Sequence, residues 1–119
     1  MDSRFRWGTL DMLILDVIAR GPSYGYQIAQ TVLAQSKGYF DLKEGSLYPA
    51  MHRLERQKLL ESYWVETDEG RRRKFYRVTA AGRKALSEKR SEWSDFAAAV
   101  GGVLGAERLR VPSLLGGDR

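Results

Sequence analysis

The spacing of apolar residues changes from helical to extended near Lys58, and no other feature restricts the possible folds as much. Up to about Lys58 apolar residues recur every three or four positions, which is typical of helices with one buried face. Beyond that point, aromatic and β-branched residues are concentrated in two short segments, Leu59 to Glu66 and Lys74 to Val78, which indicates strands. The polar turn from Thr67 to Gly70 joins them and predicts an antiparallel hairpin. We therefore expect an α+β protein that is mainly helical.

Three helices are predicted before this hairpin. The first covers Leu10 to Arg20 and ends at a Gly-Pro pair. The second runs from about Tyr24 to Ser36, with Ser23 as its N-cap, and ends at a Lys-Gly pair. The third begins at Gly45-Ser46 and ends near Lys58, with a proline in its first turn, where a missing N–H is tolerated.

The third helix has two chemically different faces. Its apolar residues fall mainly on one side, namely Leu47, Ala50, Met51 and Leu54. The other side carries Pro49, His52, Arg53 and Arg56. A short helix of this kind can lie in the major groove of DNA while its apolar side packs on the domain, and the two arginines could then bond guanine bases. The alternative is a solvated helix face that happens to carry two arginines.

The returning side of the hairpin holds a run of four cations, Arg71, Arg72, Arg73 and Lys74. The whole chain has a formal net charge of +5, from 20 basic and 15 acidic residues, and the acids are scattered whereas these cations stand together. A basic hairpin tip can contact phosphates or enter the minor groove of DNA. Because the hairpin follows the helix that could read bases, the two basic features together favour a nucleic acid as the partner.

A last helix, residues 79–105, is predicted to join two copies of the chain. Thr79 can cap this helix. A narrow apolar seam follows along it, formed by Leu86, Trp93, Phe96 and Val100. A domain of 119 residues buries only about two-thirds of its unfolded surface, so a second subunit would add burial. We therefore expect a homodimer.

The first helix also has a second apolar side, which predicts that the partner chain covers it. The residues expected at the dimer interface there are Leu10, Met12 and Leu15. The chain is thus expected to consist of a DNA-binding domain over residues 1–78, the dimerisation helix over residues 79–105, and a flexible tail over residues 106–119.

Trp93 allows two interpretations. Two copies of this residue facing each other across a two-fold axis would form a slot for a planar aromatic effector. Alternatively, the ring fills a dry interface, as aromatic residues commonly do in such cores.

The residues that most catalytic chemistry needs are scarce. The chain has no cysteine and a single histidine, His52, so it offers neither a transition-metal cluster nor a nucleophile with its base. We therefore expect a protein that is not an enzyme and that holds no metal or cofactor. No apolar run approaches the roughly 20 residues that a membrane span requires, and the lack of cysteine suits a reducing compartment, so the expected location is the cytoplasm.

Several motifs together resemble the PadR family of bacterial transcriptional regulators. These are Gly8 to Asp11, the pair Gly25-Tyr26, the segment Glu44 to Glu55 (EGSLYPAMHRLE) and the segment Tyr76 to Gly82 (YRVTAAG). The resemblance covers about residues 8–93. It implies a winged helix-turn-helix dimer that represses transcription until a ligand or stress releases it. It also implies that the helix starting near Ser46, with the Leu47-Tyr48-Pro49 motif, enters the major groove, and that the hairpin is the wing.

Two alternatives remain open from the sequence. The hydroxyl of Tyr48 could bond a DNA phosphate, or its ring could pack on the wing. The same fold could also serve as an RNA-binding module, which would need stacking aromatics on an exposed sheet, or purely as a protein-interaction module.

Overall fold

The computed structural model describes residues 8–105 and contains four helices and a small sheet. In chain order the elements are α1 (Thr9–Arg20), β1 (Ser23–Tyr24), α2 (Gly25–Gln35), α3 (Glu44–Arg56), β2 (Leu60–Glu66), β3 (Arg72–Val78) and α4 (Ala80–Leu104). The mainly helical α+β class is confirmed. The predicted tail, residues 106–119, lies outside the described residues, as do the first seven residues of the predicted DNA-binding domain. Within the described range, no helix is both long and apolar enough to cross a membrane.

The predicted hairpin is confirmed and forms most of the sheet. β2 and β3 pair antiparallel from Leu60 opposite Val78 to Glu66 opposite Arg72. The backbone N–H of Thr67 donates to the carbonyl of Arg71 at 2.7 Å and closes the turn. The strand order is β1-β3-β2, so β3 is the central strand.

Strand β1 was not expected, and it changes how α2 begins. Ser23 pairs with Tyr76 in β3, so the prediction that Ser23 caps α2 is wrong. Its hydroxyl instead donates to the carbonyl of Gly21 at 3.0 Å. Tyr24 is the N-cap, and its backbone N–H donates to the side chain of Gln27. The two-residue strand is held by its neighbour in the sheet and has no periodicity of its own that could reveal it.

The core lies between the first three helices and one face of the sheet. The largest side chains that are almost entirely buried are Ile14, Leu15, Ile18, Ile28, Met51, Leu54, Leu60 and Tyr76. The four apolar residues predicted on the inner side of α3 are all buried, so its two-faced pattern is confirmed. Because this side packs inward, the other side of α3 faces solvent.

Pro49 lies deeper in α3 than predicted. The helix begins at Glu44, so this proline is in the second turn rather than the first. It cannot donate the hydrogen bond that the carbonyl of Gly45 would normally accept. Gly45 is exposed, so water can satisfy that carbonyl and the helix continues through Pro49.

Helix α4 begins as predicted. The backbone N–H of Gly82 donates to the hydroxyl of Thr79 at 3.0 Å, and that hydroxyl donates to the carbonyl of Lys58 at 2.7 Å. A side chain at Gly82 would run into the backbone carbonyl of Leu59, so the first turn of α4 packs directly on the chain entering β2. Among the described residues, 8–87 form one compact unit and 88–105 belong to a second.

Candidate nucleic-acid interface

The exposed side of α3 is polar and positively charged. The predicted contact residues Ser46, Pro49, His52 and Arg56 are all exposed there. Within residues 8–105, Arg56 makes no ion pair with an acidic side chain, so its guanidinium is available to another partner. This side of the helix can therefore present hydrogen-bond donors to a polyanion.

Arg53 has a structural role that the sequence analysis did not predict. Its guanidinium forms two hydrogen bonds with the carboxylate of Asp11 in α1, at 2.6 Å and 3.3 Å. Asp11 is only 2% exposed, and a buried carboxylate without a cationic partner is costly. The guanidinium of Arg53 therefore holds α3 against α1, and base reading by this residue stays a prediction.

Asp11 is the functional residue that sequence reasoning missed. It stands three, four and seven residues before Ile14, Leu15 and Ile18, so it shares their buried face. An acid at such a position predicts a cationic partner elsewhere in the chain. The sequence did contain this signal, although it did not identify Arg53 as the partner.

The wing cations lie on both faces of the hairpin. Arg71 lies in the turn, and the alternation of β3 puts Arg72 and Lys74 on the same face as buried Tyr76. Arg73 points to the opposite face, where its guanidinium carbon lies 4.4 Å from the ring centre of Tyr24. The cations predicted as one cluster are thus divided between the two faces of the strand.

Aromatic rings lie beneath most of these cations. The guanidinium carbon of Arg72 lies 4.8 Å from the ring centre of Trp64, and the ammonium of Lys74 lies 5.6 Å from that of Tyr76. Such contacts favour the cation near the ring and restrict its motion. The wing cations are therefore partly ordered before any partner binds.

A groove of about 370 Å³ unites α3 with the wing. Its lining residues are Tyr24, Gly25, Tyr26, Tyr48, His52, Trp64, Arg72, Arg73, Lys74 and Tyr76. They come from the start of α2, from α3 and from the hairpin, and none of them is an aspartate or glutamate. The groove therefore combines aromatic walls with three cations and no lining carboxylate.

Tyr48 packs against α2. A Cβ atom on Gly25 would lie 2.8 Å from the Cζ atom of the Tyr48 ring, so only glycine allows this close approach. The side chain of Tyr48 remains 36% exposed and lines the groove. A hydrogen bond from its hydroxyl to a phosphate stays a prediction.

Two neighbouring tyrosines differ from each other. The ring of Tyr24 meets the edge of Phe75 at 5.2 Å between centres, so it packs on the sheet. Tyr26, in contrast, is 64% exposed. Its position in the first turn of α2 turns the ring toward the groove instead of the core.

Two groups near the wing have perturbed pKa values. Burial raises the pKa of Tyr76, and the nearby Glu55 and Tyr48 raise it further, so its phenol stays protonated at neutral pH. The hydroxyl of Thr67 bonds Glu69 and lowers the pKa of that carboxyl, with smaller effects from its own backbone, Arg73 and Arg71. Neither group resembles a general acid or base tuned to neutral pH. Within the described residues, no three histidine, cysteine or acidic side chains are grouped so that they could hold a metal ion.

The predicted dimer contacts fall into two groups. Leu15 and Leu86 are buried in the core of their own protomer, and Met12 is only 8% exposed, so these three have almost no surface to offer a partner. Placing them at the interface is therefore wrong. Leu10 is partly buried against the same core.

In contrast, the part of α4 beyond Glu88 exposes an apolar stripe. Its members are Trp93, Phe96, Val100, Val103 and Leu104. From Trp93 to Val103 they recur every three or four residues, and the rings of Trp93 and Phe96 stack with their centres 5.8 Å apart. The stripe is the face through which this helix could contact another chain.

Comparison with known proteins gives a consistent result. Residues 14–88 match the model of the Transcriptional regulator PadR-like family. The chain is 36% identical to the transcriptional regulator Rv3488 of Mycobacterium tuberculosis over 96 residues, which covers 81% of this chain and 86% of the relative. An uncharacterized protein of Lysinibacillus sphaericus is 38% identical over 88 residues, covering 74% and 81% respectively.

Solved structures agree on the fold. A transcriptional regulator from Clostridium thermocellum superposes with a TM-score of 0.75 at 31% identity, covering 87% of this chain and all of the other. A PadR family transcription regulator from Clostridium difficile gives a TM-score of 0.72 at 34% identity, covering 82% and 100%. The three helices, the hairpin and the C-terminal helix therefore define a winged-helix transcriptional regulator. The chain belongs to the PadR-like family, as its motifs predicted.

Proposed function

We propose that this transcriptional regulator binds double-stranded DNA in a sequence-specific manner, with α3 in the major groove and the β2–β3 hairpin as a wing on the backbone. The observation that carries the proposal is the groove of about 370 Å³, in which α3 and the wing meet and no carboxylate opposes the cations. DNA presents dense negative charge and base edges together, and this surface offers cations beside an exposed helix.

The residues divide into base-reading and phosphate-binding groups. Arg56 and His52 occupy the exposed side of α3, and Arg56 is the arginine that could pair with guanine, since Arg53 is bonded to Asp11. Arg71, Arg72 and Lys74 would contact phosphates, which positions the protein without selecting a sequence. Ser46, Tyr48 and Pro49 would lie near the backbone at the start of α3.

The protein would act as a homodimer. The exposed stripe of α4 that begins at Trp93 is apolar and has coiled-coil spacing, so a second copy is the partner that fits it by symmetry. Two-fold symmetry predicts a pseudo-palindromic operator whose half-sites are about 34 Å apart. Bound there, the dimer would repress transcription until a ligand or stress changes the separation of the two α3 helices. A planar effector at Trp93 stays a prediction.

The sheet argues against RNA as the partner. Its outer face does carry three aromatic rings, Tyr24, Phe75 and Tyr63. However, all three rings are only partly exposed, and Arg73 and Arg77 pack on the rings of Tyr24 and Tyr63. A surface for stacking unpaired bases would expose its rings more fully.

Two measurements test the proposal. Binding sites are selected from a random duplex library, and sedimentation of the same protein gives its oligomeric state. We expect a dimer and a selected site with two-fold symmetry. Arg56→Ala should reduce discrimination between the selected site and random DNA by about tenfold or more. Lys74→Ala should weaken binding to both and reduce the salt dependence, whereas Lys84→Ala, an exposed cation outside the groove, should do neither. Failure to bind duplex DNA even at low salt would refute the proposal.

A further inference from the structure

Binding of duplex DNA does not account for the exposure of two large aromatic side chains in the groove. Trp64 on the wing is 56% exposed and Tyr26 on α2 is 64% exposed, and both line the groove. The wing cations suit phosphates of a duplex, but in B-DNA the faces of the bases are stacked on each other and cannot cover these rings. Exposed aromatic surface in a concave site indicates a ligand with an accessible planar ring.

The positive charge in the groove indicates that such a ligand also carries an anionic group. Arg72 and Lys74 lie on the inner face of the wing beside Trp64, with Lys74 directly opposite Trp64 in the strand register. No acidic residue lines the groove, so an anion there would not contact a carboxylate. Arginine and lysine bind both carboxylate and phosphate by charge-assisted hydrogen bonds, and two adjacent cations suit the nearly double charge of a phosphate monoester.

We propose that this groove binds a nucleotide with an unstacked base, its phosphate toward Arg72 and Lys74 and its base against Trp64 and Tyr26. The volume of about 370 Å³ falls at the lower end of the range of about 300 to 1,000 Å³ for small-ligand pockets. Because the same groove belongs to the proposed DNA interface, a bound nucleotide and a duplex would compete. The competition with DNA rests on the proposed function, whereas the binding of the nucleotide itself does not.

The fluorescence of Trp64 provides a direct test. The chain has three tryptophans, so Trp7→Phe with Trp93→Phe leaves Trp64 as the sole reporter in the full-length protein. We expect adenosine monophosphate to change its emission saturably, and adenosine without the phosphate to bind at least about tenfold more weakly. Calorimetry on the unsubstituted protein repeats the comparison, so the result does not depend on the reporter substitutions.

Two arginines of the same strand give a matched pair of variants. Arg72→Gln removes a groove cation and should weaken nucleotide binding about tenfold or more. Arg77→Gln removes a cation on the opposite face, where it pairs with Glu61, and should change nucleotide binding less than about twofold. Equal losses in the two variants, or equal binding of nucleotide and nucleoside, would overturn the inference.

Measuring the binding of duplex DNA in parallel distinguishes a failure of this inference from a failure of the proposed function. If a duplex binds and the nucleotide does not, the groove serves DNA alone and the inference fails while the proposed function stands. If the nucleotide binds and no duplex does, the proposed function fails and the inference stands. If both bind, we expect the nucleotide to weaken the apparent affinity for the duplex by mass action, and simultaneous binding without competition would refute the shared groove.

Discussion

Removing the charge of Arg53 should destabilise the protein substantially, although this residue lies on the predicted recognition helix. Its guanidinium holds a carboxylate that is 2% exposed, with its shortest contact at 2.6 Å. Breaking a buried ion pair from one side typically costs about 3 to 5 kcal/mol, because the other charge is left unpaired. The Arg53 side chain is 38% exposed, so water weakens the pair, and we expect Arg53→Gln to lower the free energy of unfolding by about 2 to 3 kcal/mol.

Urea unfolding measures this loss, provided that the m-value is unchanged. For a chain of this size, a loss of this magnitude should lower the melting temperature by roughly 10 °C. Asp11→Asn should cost less, since it leaves a partly exposed arginine instead of a buried carboxylate. The double variant should cost clearly less than the two single losses together.

Arg56 provides the matched control on the same helix. Arg56→Gln should change stability by less than about 0.5 kcal/mol, because Arg56 is exposed and makes no ion pair within residues 8–105, yet it should reduce DNA discrimination. Additive losses for Asp11 and Arg53, or an Arg53→Gln variant as stable as the Arg56→Gln variant, would refute this reasoning.

Three further predictions concern other parts of the chain. Gly25→Ala should cost about 1 kcal/mol in urea unfolding because the new Cβ displaces the Tyr48 ring, and the cost should disappear in a Tyr48→Ala background. Phe96→Ser should weaken self-association in sedimentation by at least about thirtyfold, since each dimer would lose two buried rings, whereas Ser94→Ala should not. The folded-state pKa of Tyr76 is raised above its usual 10.0, so its contribution to stability is complete below about pH 10 and is lost as the pH rises through the folded value. Tyr76→Phe should therefore lose less stability than the parent protein between neutral and alkaline pH, as measured by urea unfolding.

The secondary structure was largely predictable from the sequence. The helical period before Lys58, the polar turn at Thr67 and the β-branched segments around it depend on residues close together in the chain. The buried side of α3 followed from the same period, because a helix presents residues three and four apart on one face. The family resemblance rested on short motifs within these elements, and it was confirmed.

The sequence by itself therefore determined the helices and the hairpin and the apolar side of α3, because these properties depend on neighbours a few residues apart, whereas β1 depends on its pairing with β3. Only the tertiary structure decided which charged groups remain available, because that depends on distant segments meeting. Arg53 is paired because the fold places α1, and with it Asp11, beside it, although the two residues are 42 positions apart in the chain. Leu86 has the spacing of an interface seam, but it is buried in the core of its own protomer. Strand alternation likewise separated Arg73 from Arg72, because consecutive side chains in a strand point to opposite faces.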